Sequence, residues 1–168
     1  MSRGFEDYHG YFYESYNSKS FLADGIDIQF VQDNQSHSQK GALRGLHFQK
    51  PPFAQTKLVG VLSGFIQDFV VDLRKTQPTY GQHYSIELSS ENKKQLLIPK
   101  GFAHGFLVLS EFAHVQYKSD EYYHPEAEGG IRYNDPTLGI DWRLKEHTLS
   151  LSSKDSALPL LSEAGFSV

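Results

Sequence analysis

Short stretches of apolar or alternating apolar and polar residues run along most of the chain, and residues typical of turns separate them. Stretches of this length, about four to eight residues, predict β-strands rather than helices. The predicted strands are residues 26–31, 58–62, 65–73, 83–88, 95–98, 106–109 and 113–117. Residues 33–36 are rich in turn formers and end the first strand, and Ser63-Gly64 is interpreted as the turn of a hairpin.

Helical patterns are confined to two short pieces of the chain. Residues 18–23 precede Gly25, and residues 153–164 are interrupted by Pro159 and followed by Gly165. Turn signals otherwise recur about every 8–12 residues, which is typical of sandwiches and barrels. The chain contains no linker, repeat or low-complexity tract. We therefore predict an all-β fold, a jelly-roll β-sandwich or barrel with short terminal helices, in a single domain over residues 1–168.

Composition narrows the classes of function. The 168 residues are 39% hydrophobic and 21% charged, as in globular proteins, and include no cysteine. Disulfides and thiolate chemistry are therefore excluded. No apolar run approaches the roughly 20 residues that span a bilayer, and the first residues lack the apolar stretch of a signal peptide. We expect a cytoplasmic protein without a membrane partner, and the net charge of -4 without a basic stripe argues against nucleic acid.

The densest group of polar residues is 43–49, followed by Lys57. Because alternate residues of a strand share a face, His47 and Gln49 are expected on one face and Arg44 on the other. If His47 and Lys57 both face the interior, they place an imidazole and an ammonium in one cavity. The alternative is a structural histidine and a lysine that extends to solvent. Buried cations are rare without a function, so the repetition of polar residues on adjacent strands favours a site.

A second group, residues 98–106, contains Pro99, Gly101 and His104 in the pattern P-x-G-x-x-H. This resembles the second half of the cupin signature, and the strand around His47 resembles the first half. Cupins often hold a metal with three histidines and a glutamate, but here Gln49 stands where the second histidine belongs. Two imidazoles are too few for a firm zinc or iron site, so we predict no metal and disfavour a metal-dependent oxygenase.

Two further groups are ambiguous when taken alone. Tyr117, followed by the polar residues 118–121, is typical of a core tyrosine beside a solvated loop. Residues 151–155 are typical of an ordinary helix start, with Asp155 in the first turn.

The segments FVQDN, LRGLHFQ, KLVGVLSG, VVDLR, GFAHGF, LSEFAHVQYK, YNDPTLGIDW and LSSKD closely resemble the dTDP-4-dehydrorhamnose 3,5-epimerase family, in order from Phe5 to Phe166. The resemblance implies a cupin jelly roll that works as a homodimer without a metal or other cofactor. It implies a dTDP-sugar substrate, dTDP-4-keto-6-deoxy-D-glucose, and epimerisation at C3 and C5 to dTDP-4-keto-L-rhamnose.

The resemblance also assigns catalytic roles. It makes His47 the general base, with Asp155 hydrogen-bonded to its other ring nitrogen. Lys57 would stabilise the enolate oxygen, and Tyr117 would deliver a proton from the opposite face of the sugar. The implied substrate-binding residues are Arg44, Gln32, Asn34 and Lys154 for the nucleotide and diphosphate, His104 beside the sugar, and Phe12, Glu14, Tyr123 and Glu128 for the thymine and sugar-side wall.

The sequence departs from the family pattern in two places. His9-Gly10 stands where relatives usually have Arg-Gly, and that arginine is expected to help bind the nucleotide. The chain also starts about a dozen residues later than most relatives, so an N-terminal strand is expected to be missing. Three alternatives stay open: an epimerase that acts at C3 only, a sugar-nucleotide-binding protein without catalysis, and a purely structural dimer.

Overall fold

The computed structural model describes residues 4–166, which divide into two compact units with a boundary between Phe30 and Val31. The smaller unit contains an antiparallel hairpin of β1 (Gly4–Asp7) and β2 (Gly10–Tyr13), and a helix, α1 (Ser18–Ala23). The prediction of a single domain over residues 1–168 stays a prediction.

The helix α1 confirms the predicted helix 18–23. Its N-terminus is capped by Asn17, whose Oδ1 accepts hydrogen bonds from the backbone N–H groups of Lys19 and Ser20. The strand predicted over 26–31 is wrong, because this stretch is irregular. Every second residue is half-buried, so the alternating pattern reflects packing of one side of an irregular segment. Within the described residues this stretch forms no strand.

The larger unit is a sandwich of two antiparallel sheets. The four-stranded sheet has the order β3-β10-β5-β8 and the five-stranded sheet β11-β4-β9-β6-β7. The strands are β3 (Gln32–Gln39), β4 (Leu43–Gln49), β5 (Lys57–Ser63), β6 (Phe65–Asp72), β7 (His83–Ser89), β8 (Gln95–Ile98), β9 (Phe102–Val108), β10 (Phe112–Ser119) and β11 (Glu128–Gly130). The all-β jelly-roll prediction is confirmed.

The five-stranded sheet is buried on both faces. Its inner face packs against the four-stranded sheet, for example Ile66 and Phe106 against Val59. Its outer face carries Phe69 and Val71, which the chain after β11 covers. Burial on both faces explains why β6 carries apolar residues on each of them, Ile66 and Val70 on the inner face and Phe69 and Val71 on the outer one.

The C-terminal part of the chain contains only short helical pieces. The helix α2 (Ser153–Ser156) begins where predicted, but it ends before Pro159, since a residue before proline is pushed out of helical conformation. Separate 3₁₀ turns occupy Pro125–Ala127, Glu146–Thr148 and Leu161–Glu163. Within residues 4–166, no helix is long and apolar enough to cross a membrane.

Two sequence predictions about strand connections are wrong. Residues 33–36 are not a turn but lie inside β3, an edge strand that pairs with β10 over its whole length. Ser63-Gly64 is not a hairpin turn, because β5 pairs with β10 and β8 whereas β6 pairs with β7 and β9. The chain crosses there from one sheet to the other, with Gly64 at φ +79, in the left-handed region that glycine tolerates.

Candidate active site

Polar side chains replace apolar ones at one end of the space between the sheets. On the five-stranded sheet, His47 lies directly opposite His104 across β4 and β9. On the four-stranded sheet, Tyr117 lies opposite Asn34 across β10 and β3. The polar residues of the two sheets come within hydrogen-bonding distance, since Arg44 Nε on β4 donates to Ser38 Oγ on β3 over 3.0 Å.

An irregularity in β4 places Arg44 and His47 on the same inner face. Arg44 pairs with Phe106 and His47 with His104, so two residues of β4 lie between pairs where β9 has only one. The prediction that Arg44 faces away from His47 is therefore wrong, because the extra residue inverts the alternation. Gly45 permits the close packing: a Cβ there would lie 2.7 Å from the carbonyl oxygen of His104.

His47 forms a dyad with Asp155, a residue far away in sequence. The distance between His47 Nε2 and Asp155 Oδ1 is 2.5 Å. Asp155 is placed by the N-cap of α2, where Ser152 Oγ accepts from its backbone N–H over 3.0 Å. Burial opposes ionisation of Asp155, but its hydrogen bonds, first of all the one with His47, outweigh this effect and hold the pKa of the carboxyl below its ordinary value.

Because an ionised carboxylate only accepts hydrogen bonds, Nε2 of His47 carries the proton in this dyad, and Nδ1 is left with the lone pair of a base. The His47 side chain is 30% exposed, so part of the ring is open to solvent.

Lys57 and Tyr117 lie together on the facing sheet. The Lys57 ammonium is 5.5 Å from the centroid of the Tyr117 ring, a cation–π distance. Burial lowers the pKa of Lys57 from 10.5 to about 8, against the opposing influence of Glu128 and Asp68. Burial, and next the charge of Glu128, raise the pKa of Tyr117, so its hydroxyl keeps its proton at neutral pH.

Asp68 is a member of the candidate site that the sequence pattern did not indicate. This carboxylate is fully buried on β6, and its Oδ1 lies 2.6 Å from Nε2 of His104. Its Oδ2 has no hydrogen-bond partner within the described residues. A single aspartate inside the apolar run 65–71 was the available signal, since an ionisable group is rarely buried there without a task.

Two of the residues predicted to bind the substrate, Tyr123 and Lys154, donate hydrogen bonds to a third, Glu128. Glu128 Oε2 accepts from Tyr123 Oη over 2.7 Å and from Lys154 Nζ over 2.6 Å. Burial favours the neutral form of Glu128, but these two hydrogen bonds dominate and lower its pKa. Gln32 joins this group, because its Oε1 accepts from the backbone N–H of Tyr123.

Gln32 also donates from Nε2 to Asn34 Oδ1 over 3.1 Å, and the Asn34 Nδ2 is buried without a partner in the part of the chain described. Phe12 and Glu14 belong to the smaller unit, where both are exposed, Phe12 by 71%. The other predicted site residues all lie in the larger unit.

Among residues 4–166, no three His, Asp or Glu side chains converge as ligands for a metal ion. Gln49 stands where cupins often have a second histidine, and its side-chain amide forms hydrogen bonds with backbone atoms.

Fold and site together define a β-sandwich enzyme of proton transfer, with a carboxylate-backed histidine and a tyrosine on facing sheets. A family model described as dTDP-4-dehydrorhamnose 3,5-epimerase matches residues 1–163. The protein of that name from Salmonella typhimurium is 50% identical over 161 residues, which cover 95% of this chain and 87% of that protein. The chain belongs to the dTDP-4-dehydrorhamnose 3,5-epimerase family, so the predicted family and isomerase class are confirmed.

Solved structures agree with this assignment. The dTDP-6-deoxy-D-glucose-3,5-epimerase of Legionella pneumophila, in complex with dTDP-4-keto-L-rhamnose, is 52% identical with a TM-score of 0.92, covering 96% of this chain and 86% of that one. A 3'-monoepimerase from Streptomyces bikiniensis, in complex with dTDP-quinovose, is 30% identical with a TM-score of 0.88, covering 96% and 81%. These neighbours also confirm the cupin-like sandwich.

Proposed function

We propose that the protein epimerises C3 and C5 of dTDP-4-keto-6-deoxy-D-glucose and releases dTDP-4-keto-L-rhamnose. The observation that carries the proposal is the His47–Asp155 dyad on one sheet, with Lys57 and Tyr117 on the facing sheet. The family supports the same reaction.

The chemistry explains why these residue types are needed. Carbons 3 and 5 both flank the C4 ketone, so one carbonyl group acidifies both C–H bonds. Removing either proton gives an enolate, and inversion requires that a proton return to the other face of the ring. The reaction therefore needs a base, an acid on the opposite side and a cation at the developing oxyanion, with no transfer of electrons to a cofactor.

His47 is the base in this proposal. Its Nδ1 takes the proton from carbon, and Asp155 stabilises the imidazolium that results. Asp155 does not touch the sugar, so its role is to orient the ring and hold the proton on Nε2.

Lys57 and Tyr117 complete each inversion, after which His47 returns its proton to water and Tyr117 takes one up. The Lys57 ammonium stabilises the enolate oxygen, and the Tyr117 hydroxyl gives its proton to the carbon from the other face. The same ammonium lies against the Tyr117 ring, so it also favours the phenolate that this transfer leaves behind. His104, backed by Asp68, would lie beside the sugar.

The remaining predicted residues would bind the nucleotide. Cationic Arg44 and Lys154 suit the diphosphate, and Gln32 and Asn34 offer amide groups. Tyr123 and Glu128 would form part of the thymine and sugar-side wall, and the assignment of Phe12 and Glu14 to substrate binding stays a prediction.

We also propose a cytoplasmic homodimer. The exposed aromatic rings of Tyr8, Tyr11 and Phe12 in the smaller unit support a protein contact. Light scattering at micromolar concentration should give twice the chain mass, and a monomer would contradict this part of the proposal.

The decisive experiment is proton NMR of dTDP-4-keto-6-deoxyglucose with the protein in D2O. Incorporation of deuterium at both C3 and C5 would establish the 3,5-epimerase. Deuterium at C3 alone would identify a C3-only epimerase, the alternative that the likeness to a 3'-monoepimerase favours. No exchange at all would indicate a sugar-nucleotide-binding protein.

Tyr117→Phe separates catalysis from binding. Without the hydroxyl the phenyl ring cannot return a proton, so we expect kcat to fall by about 10²–10⁴-fold. The affinity for dTDP, measured by calorimetry, should stay within about threefold of the parent. Wild-type turnover in this variant would overturn the assignment of the acid.

A further inference from the structure

Gln49 is a buried residue whose side-chain amide forms hydrogen bonds with almost all of its donors and acceptors. Only 5% of its surface is exposed. Its Nε2 donates to the carbonyl oxygens of Phe53, over 2.7 Å, and Tyr122, over 3.0 Å. Its Oε1 accepts from the backbone N–H of His124 over 2.7 Å. All three partners are backbone atoms, so the amide fixes the path of the chain rather than the orientation of another side chain.

These contacts tie together two parts of the site. Gln49 is the last residue of β4, two positions after His47, and it belongs to the five-stranded sheet. Tyr122 and His124 belong to the 120–127 segment, which leaves the four-stranded sheet after β10. The amide therefore connects the strand that carries the base to a segment that arrives from the facing sheet.

Other contacts hold the two ends of the 120–127 segment. Asp120 Oδ1 accepts from the backbone N–H of Thr56 over 2.6 Å, and the Ala127 carbonyl oxygen accepts from the backbone N–H of Lys50 over 2.8 Å.

The contacts around the middle of the segment, apart from those of Gln49, are more exposed. Gln55 donates to the carbonyl oxygen of Glu121 over 2.9 Å, and the ring of Phe53 stacks on His124 at 3.8 Å between centroids. These groups lie near the surface, whereas Gln49 is buried beneath the segment. A buried hydrogen bond is costly to lose because the remaining group stays without a partner.

The segment carries Tyr123. The Tyr123 backbone N–H donates to Gln32, and its hydroxyl donates to Glu128, which also pairs with Lys154. Gln49 holds the residues on both sides of Tyr123, namely Tyr122 and His124. It thus determines where the Tyr123 ring lies relative to Glu128 and Gln32.

We propose that Gln49 is a positioning residue that sets the affinity for the nucleotide part of the substrate through the 120–127 segment. The identity of the ligand rests on the proposed function. A glutamine suits this position because it offers two donors and an acceptor at one place. A glutamate would put a charge against two carbonyl oxygens, and an asparagine is one methylene too short.

The test compares Gln49→Met with a matched control, Gln67→Met. Gln67 is also a buried glutamine of the five-stranded sheet, 4% exposed. Its Nε2 donates to the carbonyl oxygen of Asp141 and its Oε1 accepts from the N–H of Arg143, each over 3.0 Å. It holds a connection on the outer face of the sheet, so its replacement reproduces the loss of a buried amide away from the site.

Two measurements are made on the full chain: the hydrogen exchange of the His124 amide by NMR, and the Kd for dTDP by calorimetry. In Gln49→Met, we expect faster exchange at His124 and a Kd raised about tenfold, the factor that one hydrogen bond is worth. The KM should rise with it, while kcat stays within about threefold. In Gln67→Met, both the His124 exchange and the Kd should stay at the parental values.

Unchanged exchange at His124 in Gln49→Met would show that the amide does not hold the segment. Faster exchange with a parental Kd would show that the segment does not position the nucleotide, and equal weakening of binding in Gln67→Met would reduce the effect to a general loss of stability. Each of these results overturns the proposal. If the unaltered protein fails to bind dTDP, the proposed function fails, and the exchange at His124 still decides whether Gln49 holds the segment.

Discussion

Two histidine–carboxylate pairs lie side by side on the five-stranded sheet, and they differ in how far they are open to water. His47 on β4 bonds to Asp155, and its side chain is 30% exposed. His104 on β9 bonds to Asp68, and their side chains are 8% and 0% exposed. The hydrogen-bond lengths are nearly equal, so access and not geometry separates the two pairs.

The origin of the carboxylates also differs. Asp68 lies on β6, directly next to the strand of His104 in the sheet, and it is fixed by the strand pairing. Asp155 comes from a short helix 108 residues after its histidine. In the proposed mechanism the open pair gains and loses a proton in each cycle, whereas the buried pair holds a hydrogen-bonding group in place. Similar chemistry thus serves two roles because burial differs.

The largest expected effect comes from replacing the open histidine. His47→Gln removes the base, so kcat should fall by about 10³-fold or more, while the Kd for dTDP stays within about threefold. His104→Gln should lower kcat by only about tenfold, since that ring is proposed to contact the sugar without taking its proton. Deuterium exchange at C3 and C5 followed by NMR measures both. A larger loss in His104→Gln would reverse the assignment of the two pairs.

Asp155→Asn should rank second. The amide introduced at position 155 can donate a hydrogen bond to Nε2 of His47. The ring proton would then lie on Nδ1, which would lose the lone pair that it needs as a base. We expect a loss of about 10²-fold in kcat, against about tenfold for Asp68→Asn. Ser152→Ala, which removes the cap on Asp155 but keeps the carboxylate, is the control for a shifted helix. Parental turnover in Asp155→Asn would contradict the dyad.

A third buried carboxylate provides a structural reference. The hydrogen bonds from the Arg74 guanidinium, chiefly, lower the pKa of Asp72 from 3.8 to about 2. Its contribution to stability is therefore complete above pH 3.8, and it disappears as the pH falls towards 2.

Asp72→Asn should accordingly lower the free energy of unfolding by about 2 kcal/mol at pH 7, measured by urea denaturation, with kcat unchanged. The difference from the parent should shrink below pH 3.8. A difference that is constant with pH would mean that packing, and not charge, holds this carboxylate.

The smallest expected effect is a shift in the pH dependence of kcat/KM, which distinguishes Asp68 from Asp155 by their influence on Lys57. Only a protonated Lys57 stabilises the enolate, and burial lowers its pKa to about 8, so kcat/KM should fall as the pH rises above about 8. The charge of Asp68 opposes this lowering, so Asp68→Asn should move the alkaline limb to lower pH, by less than about one unit. Asp155→Asn should leave the limb in place. An identical shift in both variants would mean that the two carboxylates act on Lys57 alike.

Much of the fold follows from local pattern. The apolar runs 58–62, 65–73 and 95–98 lie in strands, and residues 18–23 form the helix that Asn17 caps. The pattern failed at β3, because an edge strand with one face on polar groups and one on solvent has few apolar residues. It also failed at Ser63-Gly64, since a turn between two sheets uses the same residue types as a hairpin turn.

The sequence indicated most members of the candidate site but not their arrangement. His47, Lys57 and His104 were indicated by polar residues on predicted strands, and the family resemblance added Asp155 and Tyr117. Asp68 was overlooked within an apolar run. The common face of Arg44 and His47 was predicted wrongly, because one extra residue in β4 inverts every side chain beyond it.

The sequence by itself determined which residues form most of the strands, most of the chemical groups of the candidate site and the family to which the chain belongs. The tertiary structure decided which strands share a sheet, which faces meet and which histidine remains open to a ligand. The physical reason is the range of the interactions: alternation and turn chemistry act over a few residues, whereas the His47–Asp155 contact joins residues 108 positions apart. Only the packing of the two sheets places the strand of Tyr117 in the sheet that faces the strand of His47.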